Sequence, residues 1–378
     1  MKNHFDAATA LLILVRYGDS ASALRQLLEE FGSAEFILKA GKKAWRAAGI
    51  SEKACIRILD PDLVRIERDL EWCDDPRHHI VDWQSPDYPS LLRRAENPPA
   101  VLFVLGNVDL LWHPQIAVVG SRHPSAGGKD NARQFSRAFA HAGWGVTSGL
   151  AEGIDTSAHR AVLDLEDMDL GRTIAVVATG PDVAYPKENR ELMDVIAQSG
   201  AIVSEHPPGT PPLREHFPSR NRIIAGLSLG CLVVEAAERS GALITARLAG
   251  EMGREVFAVP GSIHNPMARG CHKLIRQGAT LVEKPGQIVE ALEVMALELA
   301  DALRGRLHTA GSPCEQRKSN GVSRPYAPIW DAIGHDLVNL DQLAERTGLT
   351  TPELSSMLLI MELEGNITVS DGRYARNA

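Results

Sequence analysis

Six short apolar runs, each ending in a turn and mostly followed by a helical stretch, limit this chain more than any other feature. Ile116 to Gly120 leads into Ser121-Arg122, and Gly145-Val146-Thr147 leads into the turn from Ser148 to Asp155. Thr173 to Ala178 leads into Thr179-Gly180, and Ala201-Ile202-Val203 into Ser204-Glu205-His206. Cys231 to Val234 precedes Glu235 to Gly241, and Glu255 to Val259 ends at Pro260-Gly261. Unbroken β-branched runs of this length suit strands buried on both faces, as in a parallel sheet. Between them, Gly127 to His141, Thr156 to Leu165, Lys187 to Gln198 and Ala242 to Met252 read as helices. The series predicts an α/β chain built on a Rossmann-like, doubly wound, mainly parallel sheet.

In such a sheet, ligands sit outside the carboxyl ends of the strands. Those ends here gather Ser121, Arg122, Ser148, Gly149, Gly180, Ser240, Gly241 and Thr245. Glycine lets a phosphate approach the backbone, and hydroxyls add donors. For any one glycine a tight turn is explanation enough; the whole set on one edge points to an anion. The first turn, Gly120-Ser121-Arg122, lacks the Gly-x-Gly-x-x-Gly spacing, so no dinucleotide cofactor is expected.

The segment Phe217-Pro218-Ser219-Arg220-Asn221-Arg222 adds an aromatic face beside two forked cations, with Asn221 between them. Pro218 suits a first helical position, which would leave the following backbone N–H groups open to an anion. Guanidinium groups bind phosphate bidentately, and Phe217 can stack on any base. The plain alternative is a capped loop with a buried Phe and solvated arginines.

Taken in order, several motifs resemble one known family. They are Gly120-Ser121-Arg122, Ser148-Gly149-Leu150 with Gly153-Ile154-Asp155 and His159, Tyr185-Pro186-Lys187-Glu188-Asn189, and the Phe217 to Arg222 segment. Val234-Glu235-Ala236, Ser240 to Ala246 and Gly253-Arg254-Glu255-Val256 complete the series. The chain is similar, over roughly 87 to 283, to the DNA-processing protein A family (also called Smf), bacterial single-strand DNA-binding proteins of natural transformation. The resemblance implies a non-enzymatic protein that binds incoming single-stranded DNA and loads a RecA-type recombinase onto it. It also implies a homodimer through the sheet domain. The expected DNA contacts are Ser121, Arg122, Ser148, Gly149, Gly180, Phe217, Arg220, Asn221, Arg222, Ser240, Gly241, Thr245 and Lys273.

The net charge of −8 excludes a uniformly basic surface, so DNA contact needs a local patch on an acidic body. Arg214, Arg220 and Arg222 face only Glu215 within nine residues, and Arg122, Arg239, Arg247 and Lys273 join them if the loops converge. Five scattered cysteines, with no Cys-x-x-Cys, argue against a disulfide framework or a zinc site and fit the cytoplasm. No apolar run approaches transmembrane length.

Residues 1–80 are helical in period and read as a small helical domain, of the sterile-alpha-motif kind by resemblance. Residues 81–303 form the Rossmann-like domain, 304–325 a linker, and 326–378 a winged helix. Asp82 to Leu105 reads as a lead-in to the sheet. In the winged helix the expected second helix, Thr351 to Glu364, carries no Lys or Arg, and between Asp336 and Gly372 seven carboxylates face Arg346 alone. That segment is therefore expected not to bind DNA.

Two rival readings belong to other classes. A phosphoribohydrolase-like, nucleotide-cleaving enzyme shares such a sheet, but its Pro-Gly-Gly-x-Gly-Thr-x-x-Glu turn is replaced by Ser240 to Arg247, without the carboxylate. Glu235 and Asp155 remain as an acid/base pair for that reading, against ordinary loop hydrogen bonding. A transcriptional regulator reading duplex DNA through the winged helix suffers from that helix's lack of cations.

Overall fold

The computed structural model describes residues 5–165, 170–310, 332–333, 338–347, 354, 358, 367–370 and 373–376. The chain divides into two compact units, Met1–Thr309 and Ala310–Ala378.

The first unit opens with α1 (Ala7–Tyr17), α2 (Ala21–Phe31), α3 (Ala34–Ala47), α4 (Glu52–Leu59) and α5 (Leu63–Trp72). Each starts at a residue whose side chain accepts a first-turn N–H: Asp6, Ser20, Ser33, Ser51 and Asp62. Their apolar faces bury Leu12, Ile13, Leu27, Ile37 and Trp45 in a cluster that also holds Val101 and Phe103 of the sheet. Arg16 donates to both oxygens of the buried Asp69 at 2.6 and 2.7 Å and to the Pro208 carbonyl at 2.9 Å, tying α1 to a sheet loop.

The sheet has nine strands: β1 (His78–Asp82), β2 (Val101–Gly106), β3 (Gln115–Val119), β4 (Gly145–Ser148), β5 (Thr173–Val176), β6 (Ala201–Ser204), β7 (Gly230–Val233), β8 (Glu255–Ala258) and β9 (Thr280–Leu281). Their order is β1-β2-β6-β5-β4-β3-β7-β8-β9, and β6 through β9 run parallel. The six expected strands are all present. Between β1 and β2 lies the short α6 (Ser90–Arg93); the crossovers are α7 (Ala126–His141), α8 (Ile154–Leu163), α9 (Arg190–Ser199), α10 (His216–Leu227), α11 (Ala242–Glu251) and α12 (Arg269–Arg276), and α13 (Pro285–Ala310) follows the sheet.

Strand alternation decides which helix covers which face. Ala117 and Val119 of β3 pack with Ile223, Ile224 and Ala246 of α10 and α11. Ile116 and Val118 face Phe135 and Phe139 of α7, Ala158 of α8 and Leu292 of α13.

Four features differ from the sequence reading: β9 was not expected, α13 runs on to Ala310 into the segment expected as a linker, and the other two concern the lead-in and α10. The lead-in segment contributes strands of its own: β1 and β2 pair antiparallel, with His78 opposite Leu105, and β2 pairs antiparallel with β6. β1 is mostly half-buried and carries two histidines, so it lacks the continuous apolar run that marks the parallel strands. In addition, α10 begins at His216, so Phe217 to Arg222 are already helical. Pro218 stands at the third helical position, where its missing N–H is still one of the four without a helical partner.

The second unit contains β10 (Val338–Asn339), α14 (Leu340–Thr347), β11 (Ile367–Ser370) and β12 (Arg373–Arg376) in a three-stranded sheet ordered β10-β12-β11. β11 and β12 form the antiparallel wing, with Ser370 opposite Arg373. The expected second helix lies outside the described residues, except Leu354 and Leu358, which are helical and buried. Among the described residues no helix is long and apolar enough to cross a membrane.

Candidate nucleic-acid interface

The strand order reverses at β3: β4, β5 and β6 follow on one side of it, β7, β8 and β9 on the other. Such a switch point leaves a crevice between diverging loops. An open cleft of about 550 Å³ lies there. Its walls are the β3–α7 turn, the β4–α8 loop, one side of α10, the start of α11, and Met267.

Close packing fixes the two loops on the β3 side. Gly153 has φ +80°, and a Cβ there would lie 2.5 Å from the Arg122 carbonyl oxygen and closer still to that of Ser121. Only glycine fits, so the β4–α8 loop lies directly on the Ser121-Arg122 turn. A Cβ at Gly120 would meet Ile154 Cγ1 at 2.6 Å and the Glu235 carbonyl oxygen at 2.9 Å.

Buried polar groups hold these loops from beneath. Asp155 Oδ2 accepts the N–H groups of Gly149 at 3.1 Å and Ala151 at 3.3 Å, across Leu150, whose φ of 57° is left-handed. Asn189 Nδ2 donates to the Leu150 carbonyl at 2.9 Å. Arg220 Nη1 donates to the Gly149 carbonyl at 2.6 Å and to that of Val176, and Arg220 Nε donates to Asn221 Oδ1 at 3.2 Å. Glu235 accepts Ser125 N at 2.8 Å, Ser125 Oγ at 2.6 Å and Asn265 Nδ2 at 3.2 Å. Both carboxylates of the acid/base reading are therefore engaged in loop hydrogen bonds.

Burial drives the titration of this layer. It pushes the Asp155 carboxyl up, against the pull of Arg220 and the loop N–H groups, and brings Arg220 down to about 10. His159 lies fully buried, with Nδ1 2.7 Å from Thr173 Oγ1. That hydroxyl donates to the Val146 carbonyl, so Nδ1 carries the proton and Nε2 stays bare and unpartnered. Burial first, then Arg220, lowers His159 from 6.5 to about 3. A depressed folded pKa gives stability that is complete above the unfolded pKa and lost as pH falls toward the folded one. The melting temperature is thus expected to fall between pH 6.5 and 3, and a thermal scan across that range in His159→Gln should show a smaller fall.

Eight of the expected contact residues line the cleft: Ser121, Arg122, Phe217, Arg220, Asn221, Ser240, Gly241 and Thr245. Arg122 is exposed, and Phe217 and Asn221 are half-buried; Arg220 is 6% exposed, its guanidinium turned into the loop layer. The other five stand elsewhere. Ser148 is buried and donates to the Val118 carbonyl at 2.7 Å, and Gly149 lies against the Arg220 guanidinium. Gly180 is buried against Pro207 and Gly209, and Arg222 pairs with Glu205 outside the cleft.

Lys273 lines an adjoining cleft of about 760 Å³, which shares Arg239, Ser240, Gly241 and Ile244 with the first. Arg247 there pairs with Glu251 at 3.4 Å, whereas Arg122, Arg239 and Lys273 make no ion pair with any described residue. At the cleft edge α11 begins just after Gly241, which offers no side-chain cap, although Ser240 Oγ accepts the Ala242 N–H at 3.3 Å. That terminus adds positive potential beside Arg122 and Arg239.

His123, Ala237 and Met267 line the cleft without having been expected there. Tyr185 also went unassigned, although its ring lies 5.2 Å from that of Phe217 and is 44% exposed. Its place in the Tyr185-Pro186 motif was the available signal. Among the described residues no group of three or more His, Cys, Asp or Glu side chains could hold a metal ion.

Residues 79–293 match the family model of DNA recombination-mediator protein A, and residues 314–373 match that of the DprA winged helix domain. The chain is 42% identical over 329 residues to Protein Smf of Escherichia coli (strain K12), covering 87% of this chain and 85% of the relative. Among solved structures it is similar to DNA processing protein A from Streptococcus pneumoniae, with a TM-score of 0.66 and 37% identity over 76% of this chain and 98% of that one. It is also similar to DNA processing protein A from Helicobacter pylori, whose structure concerns a single-stranded DNA binding mode. There the TM-score is 0.51 and the identity 26%, over 57% of this chain and 95% of that one.

Proposed function

The chain belongs to the DNA recombination-mediator protein A family, and on that premise we propose that it binds single-stranded DNA in the cleft at the sheet's switch point. The observation that carries this reading is the composition of the cleft wall. Arg122 and Arg239 stand without carboxylate partners among the described residues, beside Asn221, the open start of α11 and the ring of Phe217. Unpaired cations and backbone N–H groups suit a phosphate chain, and a half-exposed aromatic face suits a base of any identity.

The Phe217–Tyr185 pair supplies the test. Stacking on one ring contributes about 1–3 kcal/mol per base. Phe217→Ala is expected to weaken oligonucleotide binding by that amount, with little dependence on sequence and a nearly unchanged melting temperature. A large drop in melting temperature would place the ring in the core and sink the stacking role.

The role is one of binding and handover, without catalysis. Asp155 and Glu235, the two carboxylates of the acid/base reading, already hold loop N–H and hydroxyl groups and are not turned to a nucleotide. Nucleoside monophosphates incubated with the protein are expected to release no base. In this proposal the protein protects incoming strands in natural transformation and passes them to a RecA-type recombinase. It acts as a homodimer through the Rossmann-like domain, so that two basic clefts face one strand.

A further inference from the structure

We propose that Arg220 is a positioning residue which holds the Asn221 amide with its two N–H donors turned into the cleft; this rests on the cleft being the DNA site. A guanidinium has only donors, so the Asn221 atom facing Arg220 Nε at 3.2 Å must be the carbonyl oxygen. Asn221 lines the cleft, and no described residue accepts from its nitrogen. Asn221 is thereby set as a donor, matched to a phosphate oxygen or to the acceptor edge of a base.

Arg220 is itself immobilised. Its Nη1 is held by the Gly149 and Val176 carbonyls, and a Cβ on Gly149 would sit 2.5 Å from Nη1 and 2.6 Å from Nη2. Gly149 therefore makes room for the guanidinium, which is closed off from a phosphate by the loop it supports. Of the two arginines flanking Asn221, Arg222 turns away to Glu205 and Arg220 turns beneath the loop. The Asn221 amide between them is the group of this triplet that faces the ligand.

Binding of a short fluorescent oligothymidylate over a range of salt, for Arg220→Gln, Asn221→Ala and the double variant, gives the first readout. Asn221→Ala should weaken affinity about tenfold, the loss of one hydrogen bond to a charged group. Arg220→Gln should weaken it similarly while leaving the log–log salt slope unchanged, because no phosphate contact is removed. The double variant should bind no more weakly than the weaker single one, since the two act as a unit. A slope flattened by about 0.7 in Arg220→Gln would make Arg220 a direct phosphate contact and overturn the proposal; so would additive losses.

Side-chain 15N–1H spectra of the unliganded protein give the second readout, which needs neither a folded variant nor DNA binding. The Arg220 Nε–H signal should be protected from solvent exchange and the Asn221 amide pair should exchange freely. The reverse pattern overturns the proposal. If the wild-type protein bound no single-stranded DNA, the proposed function would fail on its own, and these spectra would still decide the orientation.

Discussion

Gly153→Val is expected to cost about 2–6 kcal/mol of stability and to abolish binding in the cleft. The estimate adds about 1–3 kcal/mol for a side chain at a glycine-only backbone conformation to about 1–3 kcal/mol for overpacking. At φ +80° the new Cβ would press on the carbonyl oxygens of Ser121 and Arg122, which are backbone atoms of a turn and cannot rotate aside. Relief requires moving the β3–α7 turn away from α8, and that turn carries Arg122. Urea denaturation measures the first effect and oligonucleotide titration the second. A variant with wild-type stability and affinity would show that the two loops are not in close contact.

Asp155→Ala is the second large perturbation. The carboxylate is buried, accepts the Gly149 and Ala151 N–H groups, and is the favourable charge near the buried Arg220. Arg220 then loses a favourable charge with which it forms no ion pair, and each buried donor left without its acceptor costs about 1–3 kcal/mol. Two loop N–H groups lose their acceptor in this way, and Leu150 loses part of what holds its left-handed conformation. Asp155→Asn should be milder, since one carbonyl oxygen can still accept from the loop. Equal midpoints in denaturant for Ala and wild type would mean that Asp155 is not part of the loop's support.

Six of the seven parallel strands were legible because burial on both faces leaves runs such as Ile116 to Val119 with no polar interruption, whereas β9 is two exposed residues, Thr280 and Leu281. β1 was not, because His78-His79-Ile80-Val81-Asp82 is an edge strand with only Val81 fully buried. The cleft was legible in outline, since the turn residues Ser121, Arg122, Ser240 and Gly241 lie where a doubly wound sheet places its ligand. The fates of Arg220 and Arg222 were not. Two residues apart on a helix, they point about 200° from one another, and only the strand order decides which face meets the β4–α8 loop. The dispersal of Gly180 and Arg222 from the cleft follows from the same topology, because they face the Pro207 to Thr210 loop and Glu205 at the β6 end. Lys273 was expected at the DNA contact; the structure puts it in the adjoining cleft, which shares Arg239 with the first.

The central claim is that unpaired cations in the switch-point cleft hold the phosphates of a single strand. The most direct measurement is the salt dependence of binding to single-stranded and duplex oligonucleotides by the wild-type protein and by Arg122→Ala. Arg122 is exposed beside the cleft and makes no ion pair with a described residue, so its loss should remove a contact without disturbing the fold. The account predicts tighter binding to the single strand, and a log–log slope flatter by about 0.7 in the variant at an unchanged melting temperature. Wild-type preference for duplex, or an Arg122→Ala slope and affinity equal to wild type, would contradict it.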